Sequence, residues 1–325
     1  MRQSSTHSAI AVLLLAIVLP ASGQPLPALH DSILIGGTGG WDYITCDTNA
    51  NRLYVSHEER VEVVDLTTRK RIGSVEGTVG VHGIVIAGKG FTTNGKDATV
   101  TVFDPATLRE VKRIPLTGKK PDAILLEPVS GRVFTFNGGS GNCCAIDTQA
   151  LDDVGTLSLN GAPESAVAEG TGMVFVNIED KNEVVKFNAV SLTIEERWPL
   201  SPGATPTGLA IDRINHRLFA GCRNQLLIVL DARTGSVVTS LPIGKGVDGV
   251  SFDADRQMIY VSNKDGTLDI IHQRTPWQYE HIASIPTVPG AKTMTLDGRS
   301  HRIFLPAARS SANGGRGEFR VYIVE

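Results

Sequence analysis

The chain has 325 residues, 41% of them hydrophobic and 20% charged, and its 31 Lys and Arg nearly balance its 34 Asp and Glu for a formal charge of −3. That apolar share excludes a disordered chain, and the charge balance gives no sign of the basic face a nucleic-acid binder needs, so no nucleic-acid partner is expected. With 34 Gly, 16 Pro and only four Met, the composition leans toward strands and turns.

The first segment reads as a leader. Arg2 precedes an apolar run from Ala9 to Leu19, followed by Pro20 and the small residues Ala21-Ser22-Gly23. This is the pattern of a secretory signal cleaved after Gly23, and the run is too short to span a bilayer as a helix. The expectation is therefore a leader over residues 1–23, a periplasmic or secreted product and no membrane span. Four cysteines follow, Cys46, Cys143, Cys144 and Cys222, in spacings that match neither a zinc site nor a c-type haem site. Buried free thiols are expected, with Cys143 and Cys144 on opposite faces of one strand.

From about residue 32 onward a repeat organises the chain. Second-strand copies read Arg52-Leu-Tyr-Val, Arg132-Val-Phe-Thr, Met173-Val-Phe-Val, Arg217-Leu-Phe-Ala, Met258-Ile-Tyr-Val and Arg302-Ile-Phe-Leu. Third-strand copies end at Asp65, Asp104, Asp147, Asn188, Asp231 and His272, at intervals of 39 to 43 residues. A period in the low forties holding four short alternating strands is a propeller blade. First-strand openings recur seven times: Trp41-Asp-Tyr-Ile, Val81-His-Gly-Ile, Pro121-Asp-Ala-Ile, Pro163-Glu-Ser-Ala, Pro206-Thr-Gly-Leu, Val247-Asp-Gly-Val and Ala291-Lys-Thr-Met. The fold expected over residues 24–325 is thus all-β, a single seven-bladed β-propeller of four-stranded blades. The last unit has room for three strands, and Ser32-Ile-Leu-Ile-Gly-Gly reads as the missing fourth, an N-terminal strand that joins the C-terminal blade and closes the ring.

These repeats resemble those of YVTN-repeat β-propellers. The order Gly-Gly-Trp-Asp-Tyr, Val-His-Gly-Ile, Pro-Asp-Ala-Ile, Asp-Gly-Thr-Leu resembles the exported YncE-like proteins over essentially all of residues 31–325. The resemblance implies fold and export; it leaves the chemistry open, because one propeller scaffold carries many functions.

Position two of each opening forms an expected ring at the axis: Asp42, His82, Asp122, Glu164, Thr207, Asp248 and Lys292. The ends of the second strands supply an expected second ring, with His57, Asn94, Asn137, Asn177 and Asn263 as candidate ligand-binding residues. The opposite-face turns repeat Asp, Thr and Gly, as turn geometry alone requires. Crowded carboxylates need a cation, Lys292 or protonated His82 to balance them. Asp42, Asp122, Glu164 and Asp248 offer oxygens for a hard cation, Ca²⁺ first, while His82 would admit a transition metal. The plainer alternative is that these side chains are solvated or paired with Lys292 and backbone amides.

Two functional readings follow. The favoured one is an exported binding or scaffold protein, monomeric, that takes a cation, a small polar ligand or a protein partner at the axial mouth, with His82 lending sensitivity near pH 6 to 7. The rival is a metal-assisted hydrolase resembling propeller lactonases, with His82 as general base and Asp122 beside it. Neither haem nor nucleotide is expected: Gly90-Phe-Thr-Thr-Asn-Gly-Lys imitates a phosphate loop but ends in Asp97 and lies between strands. Arg52, Arg132, Arg217 and Arg302 are expected to pair with Asp47, Glu127, Asp212 and Asp297, and Trp41, Trp198 and Trp277 to pack the blades.

Overall fold

The computed structural model describes residues 26–310 and 316–325. The expected leader, with its boundary after Gly23, falls outside the described residues. Seven four-stranded antiparallel sheets follow one another in chain order. The first blade consists of Trp41–Asp47, Arg52–His57, Arg60–Asp65 and Lys70–Glu76, paired in that order. Five blades of the same plan begin at Val81, Pro121, Pro163, Pro206 and Val247. The seventh contains Thr295–Asp297, Arg302–Ser310 and Arg316–Val324, and its fourth strand is Leu29–Leu34. Ser32 pairs with Tyr322 and Leu34 with Arg320, so the ring is closed as the repeat arithmetic predicts, from the N-terminal side. No α-helix occurs among the described residues, and none of their elements is a helix long and apolar enough to cross a membrane.

Burial explains the strand patterns. Second and third strands are sandwiched between neighbouring blades and bury nearly every residue, as at Leu53-Tyr54-Val55 and Val63-Val64, whereas fourth strands alternate because one face meets solvent. Seven apolar clusters fill the seven gaps between blades. The closing cluster joins Ile33, Ile35, Phe319, Val321 and Ile323 to Ile44, Leu53, Val55 and Val64. Near the axis the blades meet backbone to backbone. A Cβ on Gly83 would lie 2.8 Å from the Asp122 carbonyl oxygen, which is why glycine occupies that position.

Cys143 enters the core cluster beside Phe134 and Phe187, while Cys144 faces Thr117 and Asn137; all four cysteines are free thiols. Two structural expectations need correction. The first-strand carboxylates do not pair with the arginines. Asp47, Glu127, Asp212 and Asp297 instead accept backbone amides of the following turn, the nearest donors available to them. Arg52 and Arg132 donate to carbonyls of the next blade at Pro105 and at Ala189 and Val190, Arg217 pairs with Asp231, and Arg302 with Glu325. The second correction concerns Trp277. Trp198 is buried and Trp41 is half-buried on Phe319, but Trp277 is 65% exposed and lies against the Arg217 guanidinium, 4.2 Å from ring centre to Cζ.

Candidate functional site

The axial side chains owe their direction to a backbone irregularity. In each of the first six blades the pairing of first and second strands slips just after the opening residue, as between Trp41 and Ile44 or Val81 and Ile84. Such β-bulges re-aim a side chain out of the ladder. The position-two residue sits in the slip every time. At four of the seven position-two residues, Lys292 included, the carbonyl is held by the neighbouring blade: Thr293 Oγ1 donates to Asp42, Thr93 Oγ1 to Asp122 at 2.5 Å, Ser262 Oγ to Lys292 at 2.5 Å, and Asn177 Nδ2 to Thr207 at 3.0 Å. Sequence reasoning missed these latches. For Thr93, Asn177 and Ser262 the signal is a Thr, Ser or Asn just inside the end of a second strand; Thr293 instead follows Lys292 in the seventh opening.

Five of the seven ring members meet. His82 Nδ1 lies 2.7 Å from Asp42 Oδ2 and 3.5 Å from Asp122 Oδ1. Lys292 Nζ bridges the other side, 2.5 Å from Asp248 Oδ2 and 3.4 Å from Asp42 Oδ1. The resulting chain runs Asp248, Lys292, Asp42, His82, Asp122. Glu164 stands close enough to feel the charges of Asp122, Asp248 and Glu179, and Arg223 pairs with Glu179. Thr207 is the exception: it is buried and gives its hydroxyl to the Val247 carbonyl at 2.7 Å, away from the mouth.

The second ring does not join the first. His57, Asn94, Asn137, Asn177 and Asn263 are all buried to within 2% of completeness. His57 contacts Glu62 and the Thr38 carbonyl, Asn94 donates to Thr99 and Thr101, Asn137 to Asn142, and Asn263 to Asp269. Their donor groups are engaged within their own blades, by the Thr38 carbonyl for His57, or by the latch described above for Asn177, while the buried Oδ1 atoms of Asn177 and Asn263 accept no hydrogen bond.

Charge at the mouth is compensated from within. Burial alone would raise Asp42, but the His82 hydrogen bond and the Lys292 charge hold it below the usual carboxylate range. The same Asp42 contact raises His82. Asp122 is pushed up to about 6 by burial and the Asp42 charge. Burial, then Asp122, then Glu179 push Glu164 up to about 9, so it holds its proton at neutral pH. Burial also raises Asp248, against the pull of Lys292. The crowding inferred from the sequence is thus relieved by one lysine, one histidine and one retained proton.

Over this chain opens a cleft of about 740 Å³, lined by Trp41, Asp42, Glu58, His82, Lys96, Lys120 and Lys292 among others. A second cleft of about 350 Å³ shares Trp41 and Lys292 with it and adds Lys264. An aromatic wall, a carboxylate floor and a lysine rim can orient a polar ligand by charge and by stacking. For a metal, Asp42, His82 and Asp122 each present a donor atom within 4.8 Å of the others; Glu164 and Asp248 are not in that group.

No family model matches the chain, and no curated protein does. The YVTN-repeat resemblance accordingly rests on the motifs quoted above. Solved structures similar to it are numerous. The WD40 repeats of RRP9 align with a TM-score of 0.80 at 6% identity, covering 92% of this chain and 99% of that one. U3-55K aligns at 0.79 and 6%, over 91% and 99% of the two chains. A chain of a mitotic checkpoint complex aligns at 0.76 and 13%, over 96% and 98%. At these identities the likeness shows the fold, a seven-bladed β-propeller, and nothing finer.

Proposed function

We propose that the protein is an exported binding protein whose axial mouth receives a small polar ligand or a loop of a protein partner. The observation that carries this reading is the convergence of Asp42, His82, Asp122, Asp248 and Lys292, the first four each in the slip of its own blade, with Asp42, His82 and Lys292 lining the 740 Å³ cleft beside Trp41. At the opposite face the repeated carboxylates are spent on capping turns. That one solved neighbour belongs to a mitotic checkpoint complex supports assembly as a use for a propeller of this size. The hydrolytic alternative needs a base directed at substrate. Here His82 Nδ1 is committed to carboxylates, and its Cδ2–Nε2 edge packs over Gly95, where a Cβ would come within 2.8 Å. Binding is therefore the reading the geometry favours.

The test is a thermal-shift panel on the secreted protein, whose intact mass should start at Gln24, with small carboxylates, phosphates, amines and short charged peptides. A ligand at 100 times its Kd adds about 2.7 kcal/mol, enough to read as a clear rise in Tm. Every such rise should vanish in Asp122→Asn and Lys292→Met and persist in Asp255→Asn on the opposite face. Shifts that survive both axial variants would place the site elsewhere.

A further inference from the structure

We propose that Asp42, His82 and Asp122 bind one zinc-type divalent ion, with coordination positions left open toward the cleft; this deepens, and rests on, the reading of the mouth as a binding site. Bonds of about 2.0 to 2.2 Å in tetrahedral to octahedral geometry place donor atoms about 3.0 to 3.5 Å apart. The His82 Nδ1 contacts, 2.7 Å to Asp42 Oδ2 and 3.5 Å to Asp122 Oδ1, bracket that range, so an ion can replace the shared proton with a small widening on the Asp42 side. The independent sign is Asp122 Oδ1, an atom shielded from solvent that makes no hydrogen bond. Buried carboxylate oxygens are rarely left so. It is turned toward the histidine nitrogen.

The donor set also decides the ion. Calcium asks for six to eight oxygens, and the wider carboxylate ring does not supply them: Asp248 is taken by Lys292, and Glu164 lies outside the group. One imidazole and two carboxylates suit a borderline ion, and the two carboxylates balance its charge. Lys292 approaches Asp42 through Oδ1 and leaves Oδ2 to the site. Gly95 gives the imidazole its room. A second trio at the opposite face, Asp253, Asp255 and His301, lacks the orphan oxygen. There Asp253 Oδ1 accepts the amides of Asp255 and Arg256, and its Oδ2 contacts His301 at 2.8 Å.

The experiment is calorimetric titration of chelator-treated protein with ZnCl₂ and, separately, CaCl₂. One zinc per chain is expected, with affinity for zinc at least 100-fold above that for calcium, and with Asp122→Asn and His82→Gln weakening zinc binding by about 100-fold or more. Circular dichroism and Tm in chelator confirm that the variants fold. For evidence independent of variants, the Co²⁺-loaded wild type should show visible bands of a four- or five-coordinate site. Absence of stoichiometric zinc, zinc binding unchanged in both variants but lost in Asp255→Asn, or calcium bound as tightly as zinc would each overturn the proposal. The ligand panel above is run in chelator, so the metal can fail while the binding reading holds, and the reverse is read separately.

Discussion

Glu62→Ala should cost the fold about 1 to 3 kcal/mol, the range for leaving the buried His57 without its partner, since Arg60 and Arg71, 39% and 40% exposed, can turn to water. The Glu62 carboxylate is 1% exposed on the third strand of blade one, yet it is fully engaged. It accepts from His57 at 3.2 Å, from Arg60 at 2.5 Å and from Arg71. His57 in turn contacts the Thr38 carbonyl and packs on Phe319, 4.7 Å between ring centres, so the cluster ties blade one to the closing segment. Burial opposes the charge on Glu62, but the His57, Arg60 and Arg71 bonds overcome it and hold the carboxyl down at about 2. The sign follows directly. A folded value below the unfolded 4.5 adds stability that is fully present above pH 4.5 and is lost as pH falls toward 2. That loss amounts to roughly 3 kcal/mol. Urea denaturation between pH 6 and 2 checks it: the acid limb should flatten in Glu62→Gln, and identical limbs in wild type and variant would contradict the assignment.

A chain begun at Gly37 should melt roughly 10 °C below one begun at Gln24, since two isoleucines at about 1.5 to 3 kcal/mol each leave the core along with a full strand of hydrogen bonds. Ile33 and Ile35 sit in the cluster that joins blades seven and one, and Leu29–Leu34 covers the edge of Arg316–Val324. Without them the ring has an open seam whose exposed strand edge invites pairing with another chain. Scanning calorimetry of the two forms, with light scattering to follow association, measures both consequences. Equal melting temperatures would mean that the closing strand contributes nothing.

Much of this architecture was legible in the residues because a blade cannot bury its own faces. Each unit must repeat the same apolar pattern to pack on its neighbours, so the period, the seven openings and the displaced fourth strand all show. The position-two ring was legible for the same reason, since equal spacing brings equivalent positions to one end. Side-chain direction was not. It depends on a bulge that adds no distinctive residue type, and nothing in Pro206-Thr207 announces that this hydroxyl turns inward to Val247 while Asp42, His82 and Asp122 turn outward. The second ring misled because a strand-end Asn looks the same whether it faces a ligand or, like Asn94 and Asn137, satisfies its own blade. The arginines misled through proximity: Arg52 faces Asp47 across the ladder, but the aspartate has two turn amides closer in reach.

The central claim, that binding takes place at the axis, meets its most direct test in a crystal structure of the protein purified without chelator. The account predicts density for an ion or ligand beside Asp122 and His82, beneath Trp41. Density seated instead on the turn face, with the side chains at the axis contacting only one another, would contradict it.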